Sequence, residues 1–510
     1  MYDDVSSNEK RRPCLRGSRR PDGLRPGGIQ LAEPSDETYQ AVPYQLYPTS
    51  EGAWVGDVMP LVDNGKLELY YLYDTDHNGQ AYHPIYRFTT ENLYEYQDDG
   101  EVIPYGNFGD PDLALGTGSV LLGQDGLYHC FYTGHNEGNA SPFGPGKECV
   151  MHAVSSDKVT WTKLPEDTFY APENYSTDDF RDPEVFWNEN EQCYWMLVAA
   201  HENTLGGVVV KYTSTDLSNW TFCGPIFAPQ AQYMLECPDL FEINGRWYLT
   251  YSWDCTTYYA IGDSMDGPFT VPEDNTLDGN NFVFYAPKTA ELNGHRYLCG
   301  WIGRNFQEQD VGMYQWAGSL LIHELIQQED GRLGICAPET LENYFTETQP
   351  VQAVGTAGSV SQEDGAYQLK GTKEPAVIDL DMRKPTFTLT CDVTLDGSGC
   401  AGFAFGQPGE DYSSYTGLAL DTVHGCLRYE GAALTDLAST DPMVYTAFDF
   451  QPGVTHHLKI VAENEILILY IDDQKALSSR VYNSIDGAHL CIFASGMDAV
   501  FENLSLSVPA

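Results

Sequence analysis

A pattern of polar turns followed by aromatic-rich stretches recurs five times in the first two thirds of the chain. The five copies span residues 63–71, 124–132, 188–196, 243–251 and 292–300. Their turn residues Gly65, Gly126, Asn190, Gly245 and Gly294 are spaced 61, 64, 55 and 49 residues apart. Asn-Gly or Asp-Gly between apolar runs is a strong β-hairpin signal. The pattern therefore predicts five repeats of one hairpin-based unit.

A second element lies between these copies, a polar turn with an aromatic residue close behind it. Segments 155–161 and 214–220 are near duplicates, and segments 264–269 and 89–94 are degenerate versions. A hairpin followed by an outer hairpin makes a four-stranded blade, and repeats of this length with this content are typical of β-propellers. We therefore predict a five-bladed β-propeller over residues 41–340.

The pattern changes after residue 340. Residues 350–363 have the composition of a loop, and alternating apolar and polar positions then dominate, as in segments 386–393, 457–461 and 466–471. Such alternation predicts a C-terminal β-sandwich over residues 350–510. Residues 1–40 are basic and lack apolar periodicity, which predicts a disordered N-terminal tail. The predicted fold class is all-β.

Composition narrows the class of function. The 27 basic and 74 acidic residues give a net charge of −47, so the surface repels nucleic acid and anionic membranes but suits a neutral substrate such as a carbohydrate. The 13 cysteines form no C-x-x-C pair, and no apolar signal sequence precedes the body, which together predict a cytoplasmic protein. No segment is apolar enough to span a membrane, and no histidine cluster indicates a metal site.

Three acids fall at equivalent inner positions of the predicted blades. Counting back from the hairpin turns reaches Asp57, Asp182 and Glu236 on the strands that should line the channel, whereas the other two blades present Gly118 and Ala286. Like charges that converge on one channel raise one another's pKa, and glycoside hydrolysis needs such a pair of carboxyl groups. The alternative is that these acids only cap strands.

The motifs that contain these acids resemble those of glycoside hydrolase family 32, the β-fructosidases. Arg181-Asp182-Pro183 is similar to the R-D-P motif of the family, and Glu236-Cys237-Pro238 to its E-C-P motif. Further similar stretches are 285–289, 300–301, 316–325, 465–472 and 479–482. The resemblance covers about residues 45–508, and it implies a propeller followed by a sandwich.

The resemblance also implies roles for individual residues. Asp57 is the nucleophile, Glu236 is the acid and base, and Asp182 stabilises the transition state. The predicted substrate-binding residues are Trp54, Thr117, Ser119, Arg181, Cys237, Tyr285 and Trp301. The substrate is a fructoside such as sucrose, levan, inulin or a fructo-oligosaccharide, and the family's chemistry needs neither a metal nor an organic cofactor.

The match is poorest around the nucleophile. The family signature W-M-N-D-P-N-G reads Trp-Val-Gly-Asp-Val-Met-Pro over residues 54–60, so Gly56 replaces an Asn whose side chain normally touches the sugar. Three alternatives therefore stay open. They are an inverting five-bladed arabinosidase or xylosidase, a fructosyltransferase, and a non-catalytic carbohydrate-binding propeller that uses Trp54, Trp253, Trp301 and Tyr285 as stacking platforms.

Overall fold

The computed structural model describes residues 28–33, 38–75, 82–140, 144–230, 232–310, 312–406, 415–485 and 487–510. These residues form 33 β-strands and six short 3-10 helices, which lie at Glu137–Asn139, Pro165–Asp167, Phe306–Glu308, Glu339–Asn343, Leu437–Ser439 and Tyr482–Ser484. Among the described residues, no helix has the length and apolar character needed to span a bilayer. The predicted all-β class is confirmed.

The first twenty strands form five consecutive antiparallel units of four strands each. The first unit is β1 (Trp54–Asp63), β2 (Lys66–Asp74), β3 (Ile85–Thr90) and β4 (Tyr96–Ile103). The second is β5 (Ala114–Leu122), β6 (Tyr128–His135), β7 (Glu148–Ser155) and β8 (Thr162–Lys163). The third is β9 (Tyr175–Asn188), β10 (Cys193–Glu202), β11 (Gly206–Ser214) and β12 (Thr221–Phe227). The fourth is β13 (Glu236–Ile243), β14 (Arg246–Trp253), β15 (Thr256–Gly262) and β16 (Phe269–Thr270), and the fifth is β17 (Tyr285–Leu292), β18 (His295–Asn305), β19 (Tyr314–Gln327) and β20 (Leu333–Cys336).

The five units close into a ring through their first strands. Strand β1 contacts β5, β5 contacts β9, β9 contacts β13, β13 contacts β17, and β17 contacts β1. Strand β19 also pairs with β1 through Val55 and Gly318, which joins the first and last units into one eight-stranded sheet. A closed ring of four-stranded units is the architecture of a propeller, in which the first strands surround a central channel.

Asn-Gly turns explain why the first and second strands of several units are joined by two-residue hairpins. Asn64 and Gly65 adopt φ of 50° and 76° between Asp63 and Lys66, which pair directly. Positive φ at both central positions is what a type I′ turn requires, and Asn-Gly supplies it at low cost. The predicted Asn-Gly turns at residues 244–245 and 293–294 have the same positive φ values.

Apolar layers between neighbouring units hold the ring together. One core cluster joins the first two units through Met59, Tyr70 and Tyr132, all buried. Another joins the third and fourth units through Trp195 and Leu249. Because each layer packs two adjacent sheets face to face, every unit is stabilised by both of its neighbours.

The C-terminal region forms a two-layered β-sandwich. Its strands are β21 (Glu347–Gln349), β22 (Gly355–Ala357), β23 (Ser359–Glu363), β24 (Ala366–Lys370), β25 (Ala376–Met382), β26 (Thr386–Gly406), β27 (Thr416–Asp421), β28 (Cys426–Gly431), β29 (Val444–Ala447), β30 (Thr455–Glu463), β31 (Ile466–Ile471), β32 (Lys475–Arg480) and β33 (His489–Val508). The long strands β26 and β33 pair along most of their length and shift register between Gly397 and Cys400. The first half of β26 pairs with β30 and its second half with β27, so these strands belong to both layers.

The segment before β1 is tied to the sandwich. The Glu463 carboxylate accepts hydrogen bonds from the backbone N–H groups of residues 45–47, and Tyr44 donates its hydroxyl to Glu465. Arg480 binds Glu465 at 2.5 Å and also donates to Gly303 of the propeller. Most of the predicted tail, residues 1–27 and 34–37, lies outside the described residues, and Ala32 within residues 28–33 donates to Ala353. The domain limits 1–40, 41–340 and 350–510 stay predictions.

Candidate active site

A cavity of about 430 Å³ lies where the first strands of the five units converge. It is lined by Asp57, Leu72, His83, Ala114, Leu115, Gly116, Thr117, Thr133, His135, Glu148, Arg181, Asp182, Glu236, Cys237, Phe282, Tyr285 and Trp316. All three predicted acids are in this set. The structure therefore brings Asp57, Asp182 and Glu236, which are 125 and 54 residues apart in sequence, to one cavity.

A β-bulge on each first strand aims these side chains into the cavity. On β1, Val55 pairs with Tyr73 and Val58 with Tyr71, so residues 56 and 57 together face one residue of β2. Equivalent bulges occur at residues 182–183, 237–238 and 286–287, and a related register shift lies between Gly116 and Gly118. Bulges redirect side chains and are common beside active sites.

The prediction that the three acids occupy equivalent positions is wrong in detail. Glu236 is the last paired residue before its bulge, Asp182 is the first bulged residue of β9, and Asp57 is the second bulged residue of β1. Counting from the hairpin turns did not detect this offset because the paired segment between bulge and turn has six residues, 58–63, on β1 but five on β9 and β13, 184–188 and 239–243. The three carboxyl groups therefore reach the cavity from different strands and from different positions relative to the bulge.

Asp57 is partly buried and interacts with the indole of a buried tryptophan. Trp301 donates its Nε1–H to Asp57 Oδ1 at 3.0 Å. Burial raises the pKa of Asp57 from 3.8 to about 7, the neighbouring Asp182 adds to the rise, and the Trp301 hydrogen bond opposes it. The surroundings of Asp57 therefore disfavour its charged form, and the Trp301 N–H only partly offsets this effect.

Asp182 is almost fully buried and has a strained backbone. Its φ is 61°, in the left-handed region that a residue with a side chain seldom adopts. Its Oδ2 accepts the backbone N–H of Cys237 at 3.0 Å, and its own N–H donates to Thr133 at 2.8 Å. Burial raises the pKa of Asp182 to about 6, while the charge of Arg181 opposes that rise.

Glu236 has a different set of partners from the two aspartates. Its side chain is 24% exposed, and its Oε1 accepts from Arg181 Nη2 at 2.9 Å. The Tyr285 hydroxyl donates to its Oε2. Both carboxyl oxygens thus point at fixed donors, so the group is held at the cavity wall in one orientation.

Arg181 links Glu236 to a second buried carboxylate. Its Nη1 donates to Glu148 Oε2 at 2.9 Å, and the same oxygen accepts the backbone N–H of Phe180. These bonds and the nearby His135 hold the pKa of Glu148 at about 2 despite its burial. Glu148 is therefore an anion that keeps the guanidinium of Arg181 in place beside Glu236.

The other predicted binding residues divide into those at the cavity and those behind it. Thr117, Cys237, Tyr285 and Arg181 line the cavity, and the buried Thr117 hydroxyl has no hydrogen-bond partner within the described part of the chain. Ser119 does not line the cavity. Its hydroxyl instead connects β5 to β9 through Pro183 and Val185. Trp54 does not line the cavity either, and the guanidinium of Arg304 lies 4.8 Å from the centroid of its ring.

Trp316 occupies the space beside Gly56, where the family signature has an asparagine. A Cβ added at Gly56 would lie 2.4 Å from the indole of Trp316, far inside van der Waals contact. Trp316 also contacts the rings of Trp301 and His83, with centroids 5.9 Å and 4.6 Å away. The substitution of Gly56 is thus matched by an indole that closes this side of the cavity.

Apart from Trp316, sequence reasoning missed five polar or aromatic residues that line the cavity: His83, Thr133, His135, Glu148 and Phe282. Trp316 lay within a segment noted for its similarity, but its position over Gly56 was not predicted. Glu148 precedes the apolar run of β7, and no sequence motif marks it. Its function in holding Arg181 depends on a contact between two different units, which the local sequence does not encode.

The arrangement can support acid–base and nucleophilic chemistry at one carbon atom. It supplies carboxyl groups in three environments, one guanidinium and one tyrosine hydroxyl in a single cavity. Among the described residues, no group of three or more His, Cys, Asp or Glu side chains could hold a metal ion. Paired carboxyl groups at such a site are the functional groups of glycosidases.

Comparisons with known proteins agree with this chemistry. The model of the glycosyl hydrolases family 32 N-terminal domain matches residues 49–334. A levanbiose-producing levanase from Bacillus subtilis (strain 168) is 21% identical, over 90% of this chain and 89% of the relative. A sucrose-6-phosphate hydrolase from Staphylococcus xylosus is 26% identical, over 58% of this chain and 61% of the relative.

Solved structures share the fold over almost the whole chain. The Bombyx mori GH32 beta-fructofuranosidase BmSUC1 has a TM-score of 0.67 at 20% identity, covering 92% of this chain and 93% of its own. Fructan 1-exohydrolase IIa from Cichorium intybus has a TM-score of 0.70 at 17% identity, covering 91% and 98%. The predicted propeller followed by a sandwich is confirmed as the fold.

Proposed function

This chain belongs to glycoside hydrolase family 32, and we propose that it hydrolyses β-fructofuranosidic bonds by a retaining double displacement. The observation that carries the proposal is the cavity that brings Asp57, Asp182 and Glu236 together, each with different partners. Substrates such as sucrose, fructo-oligosaccharides, levan or inulin suit the family, and the names of its relatives support fructosides as a class.

In the first step, Asp57 attacks the anomeric carbon of the fructosyl unit. Its carboxylate forms a bond to that carbon while the bond to the leaving oxygen breaks, and Glu236 gives its proton to that oxygen. In the second step, water attacks the same carbon and gives a proton to Glu236, and Asp57 leaves with its electron pair. The enzyme returns to its starting state, and the fructose keeps the anomeric configuration of the substrate.

The electrostatics of the cavity penalise the charge of both aspartates. Burial and mutual repulsion raise the pKa of Asp57 to about 7 and that of Asp182 to about 6. The nearby Arg181 and its partner Glu148 hold Glu236 where a leaving oxygen can reach it.

Asp182 is proposed to bind sugar hydroxyls and to stabilise the positive charge that develops on the fructosyl ring. Its second carboxyl oxygen accepts from the Cys237 backbone, which fixes its direction. Trp301 orients Asp57 through its indole N–H, and Thr117 lines the cavity as a proposed contact for the sugar. Ser119 acts indirectly, because it positions β5 against β9.

Kinetics of three variants on two substrates test these roles. Glu236→Ala should lose about 10²–10⁴-fold on a natural fructoside but much less on an activated aryl fructoside, whose leaving group needs no proton. Asp57→Ala should be inactive on both, and Asp182→Ala should be severely impaired on both. If Asp182→Ala, and not Glu236→Ala, depends on the leaving group, the assignment of acid and stabiliser is reversed.

Product analysis separates the proposed reaction from its rivals. The first sugar released should have the retained anomeric configuration, measured by NMR within minutes of mixing. An inverted anomer would support the inverting arabinosidase or xylosidase class instead. Transfer of fructose to sugars rather than to water at high sucrose would identify a fructosyltransferase, and binding of sugars without turnover would identify a binding propeller.

A cytoplasmic location is also proposed. Its support is that all twelve cysteines in the described part of the chain are free thiols, as a reducing compartment favours. Cell fractionation with activity measurement tests it, and activity found outside the cell would contradict it.

A further inference from the structure

Three aromatic side chains on the third and fourth units lie next to cavity-lining residues in sequence or in strand pairing. Strand pairing places them beside the proposed acid. His201 lies two residues beyond Ala199, which pairs with Arg181, and Trp253 follows Ser252, which pairs with Glu236. Tyr233 precedes Glu236 by three residues. We call His201, Tyr233 and Trp253 the aromatic ledge.

The ledge is held rigidly although it faces solvent. Tyr233 is 49% exposed, yet its hydroxyl donates to Asp179 at 2.9 Å. His201 Nδ1 lies 2.9 Å from the Tyr233 carbonyl oxygen, and its ring is 4.2 Å from the Tyr233 ring. The Trp253 ring lies 5.9 Å from Tyr233 on the same ledge. Exposed aromatic rings that are fixed in advance bind a ligand with little loss of conformational entropy.

The ledge is continuous with the group that acts on the leaving oxygen. Asp179, which accepts the Tyr233 hydroxyl, lies 3.6 Å from Arg181 Nη1. Arg181 in turn holds Glu236 at 2.9 Å. A sugar whose oxygen receives a proton from Glu236 would therefore extend toward Tyr233, and not toward Asp57 on the opposite side.

The charges at this part of the rim favour a neutral ligand. Arg181 contacts three carboxylates, those of Glu148, Asp179 and Glu236. His135 lies 3.4 Å from both Glu137 and Glu148, and Lys147 lies 4.0 Å from Glu137. Each of these basic side chains already faces a carboxylate, so a phosphate group here would meet net negative charge and be repelled.

We propose that the aromatic ledge is a binding subsite for a neutral sugar on the leaving-group side of the scissile bond. The proposal rests on the proposed fructosidase function and deepens it. It assigns the enzyme to neutral fructo-oligosaccharides with an extended leaving group, in preference to sucrose or sucrose-6-phosphate. The apolar faces of sugar rings pack on aromatic faces, and Tyr233 and Trp253 offer two such faces in succession.

Steady-state kinetics with three substrates test the proposal. The substrates are sucrose, a neutral trisaccharide made of sucrose with one added fructose, and sucrose-6-phosphate. The wild-type enzyme should show the highest kcat/KM on the trisaccharide and the lowest on the phosphorylated disaccharide. A preference for sucrose-6-phosphate would overturn the proposal while leaving the fructosidase function intact.

Variants of the aromatic ledge test the proposal through the ratio of kcat/KM on the trisaccharide to kcat/KM on sucrose. Trp253→Ala and Tyr233→Ala should each lower the ratio of trisaccharide to sucrose kcat/KM by about 10-fold, the usual loss when an aromatic contact is truncated. Tyr233→Phe keeps the ring and should retain most of the ratio. Phe222→Ala removes a similarly exposed aromatic from the outer strand β12, and it serves as the matched control.

The outcomes separate the two proposals. A ratio that falls in the ledge variants and not in the control supports the subsite. An unchanged ratio in Trp253→Ala and Tyr233→Ala, in enzymes that remain active and folded by thermal unfolding, overturns it. If Tyr233→Ala does not fold, Trp253→Ala and Tyr233→Leu decide the same question. Absence of activity on all three substrates and on other fructosides would overturn the fructosidase function, and the subsite with it.

Discussion

Asp57→Asn should make the protein more stable at neutral and alkaline pH. Burial raises the pKa of Asp57 from 3.8 to about 7, so the folded protein binds this proton more tightly than the unfolded chain does. The stabilisation from that proton is fully present below about pH 4 and is lost as the pH rises through about 7. Above pH 7 the wild-type protein therefore carries a charge that its fold disfavours.

The magnitude follows from the difference between the two pKa values. A gap of about 3 pH units at about 1.36 kcal/mol each gives an upper limit of about 4 kcal/mol. An asparagine keeps an oxygen that can accept the Trp301 N–H, so the hydrogen bond seen at 3.0 Å need not be lost. We expect the free energy of unfolding at pH 8 to increase by about 2–4 kcal/mol, with almost no difference at pH 4.

Urea unfolding of both proteins between pH 4 and pH 8 measures this effect. Asp63→Asn, on the same strand, is a matched control with the opposite sign. The pKa of Asp63 is lowered, chiefly by a hydrogen bond from Lys158 at 2.5 Å, so this variant should lose stability above pH 4. If Asp57→Asn is no more stable than wild type at pH 8, or if its gain is the same at pH 4, the electrostatic account of the cavity is wrong.

Three further predictions concern the supporting parts of the structure. Gly56→Asn should lower the free energy of unfolding, measured in urea, by about 1–3 kcal/mol and change the tryptophan fluorescence, because its Cβ would lie 2.4 Å from the Trp316 indole. The double variant with Trp316→Ala should recover part of that stability. Glu148→Gln should lose up to about 3 kcal/mol of stability at pH 7, because the pKa of Glu148 is lowered to about 2 in the folded protein. This loss should disappear as the pH falls from about 4.5 to about 2, and a constant loss over that range would contradict the prediction. Deletion of residues 1–27 should leave kcat/KM on sucrose unchanged, and a large drop would show that this segment contributes to the folded body.

The sequence by itself determined the architecture and the chemical class. Asn-Gly turns require positive φ whatever surrounds them, so the hairpins at Asn64 and Asn244 could be placed from local sequence. Their recurrence predicted repeated four-stranded units, and the alternation after residue 340 predicted the sandwich. The acids Asp57, Asp182 and Glu236 could be named because each lies in a short contiguous motif.

Only the tertiary structure decided how these acids relate to one another. They occupy three successive positions relative to the bulge of their strands, and the place of a bulge depends on pairing with a neighbouring strand rather than on local composition. Arg181 and its two partners come from three different units, since Glu148 is 33 residues before it and Glu236 is 55 residues after it. Their attraction depends on distance in space, about which spacing along the chain carries no information.

The same physical reason separates the residues that touch the cavity from those that do not. The Ser119 side chain lies on the side of β5 that faces β9, where its hydrogen bond connects two units. Thr117 lies at the register shift of β5 and lines the cavity instead. Trp316 reaches Gly56 from 260 residues away because β19 pairs with β1 to close the ring. Local sequence specifies turns and strands through backbone preferences, but the shape and charge of the cavity arise from side chains that meet only when the ring closes.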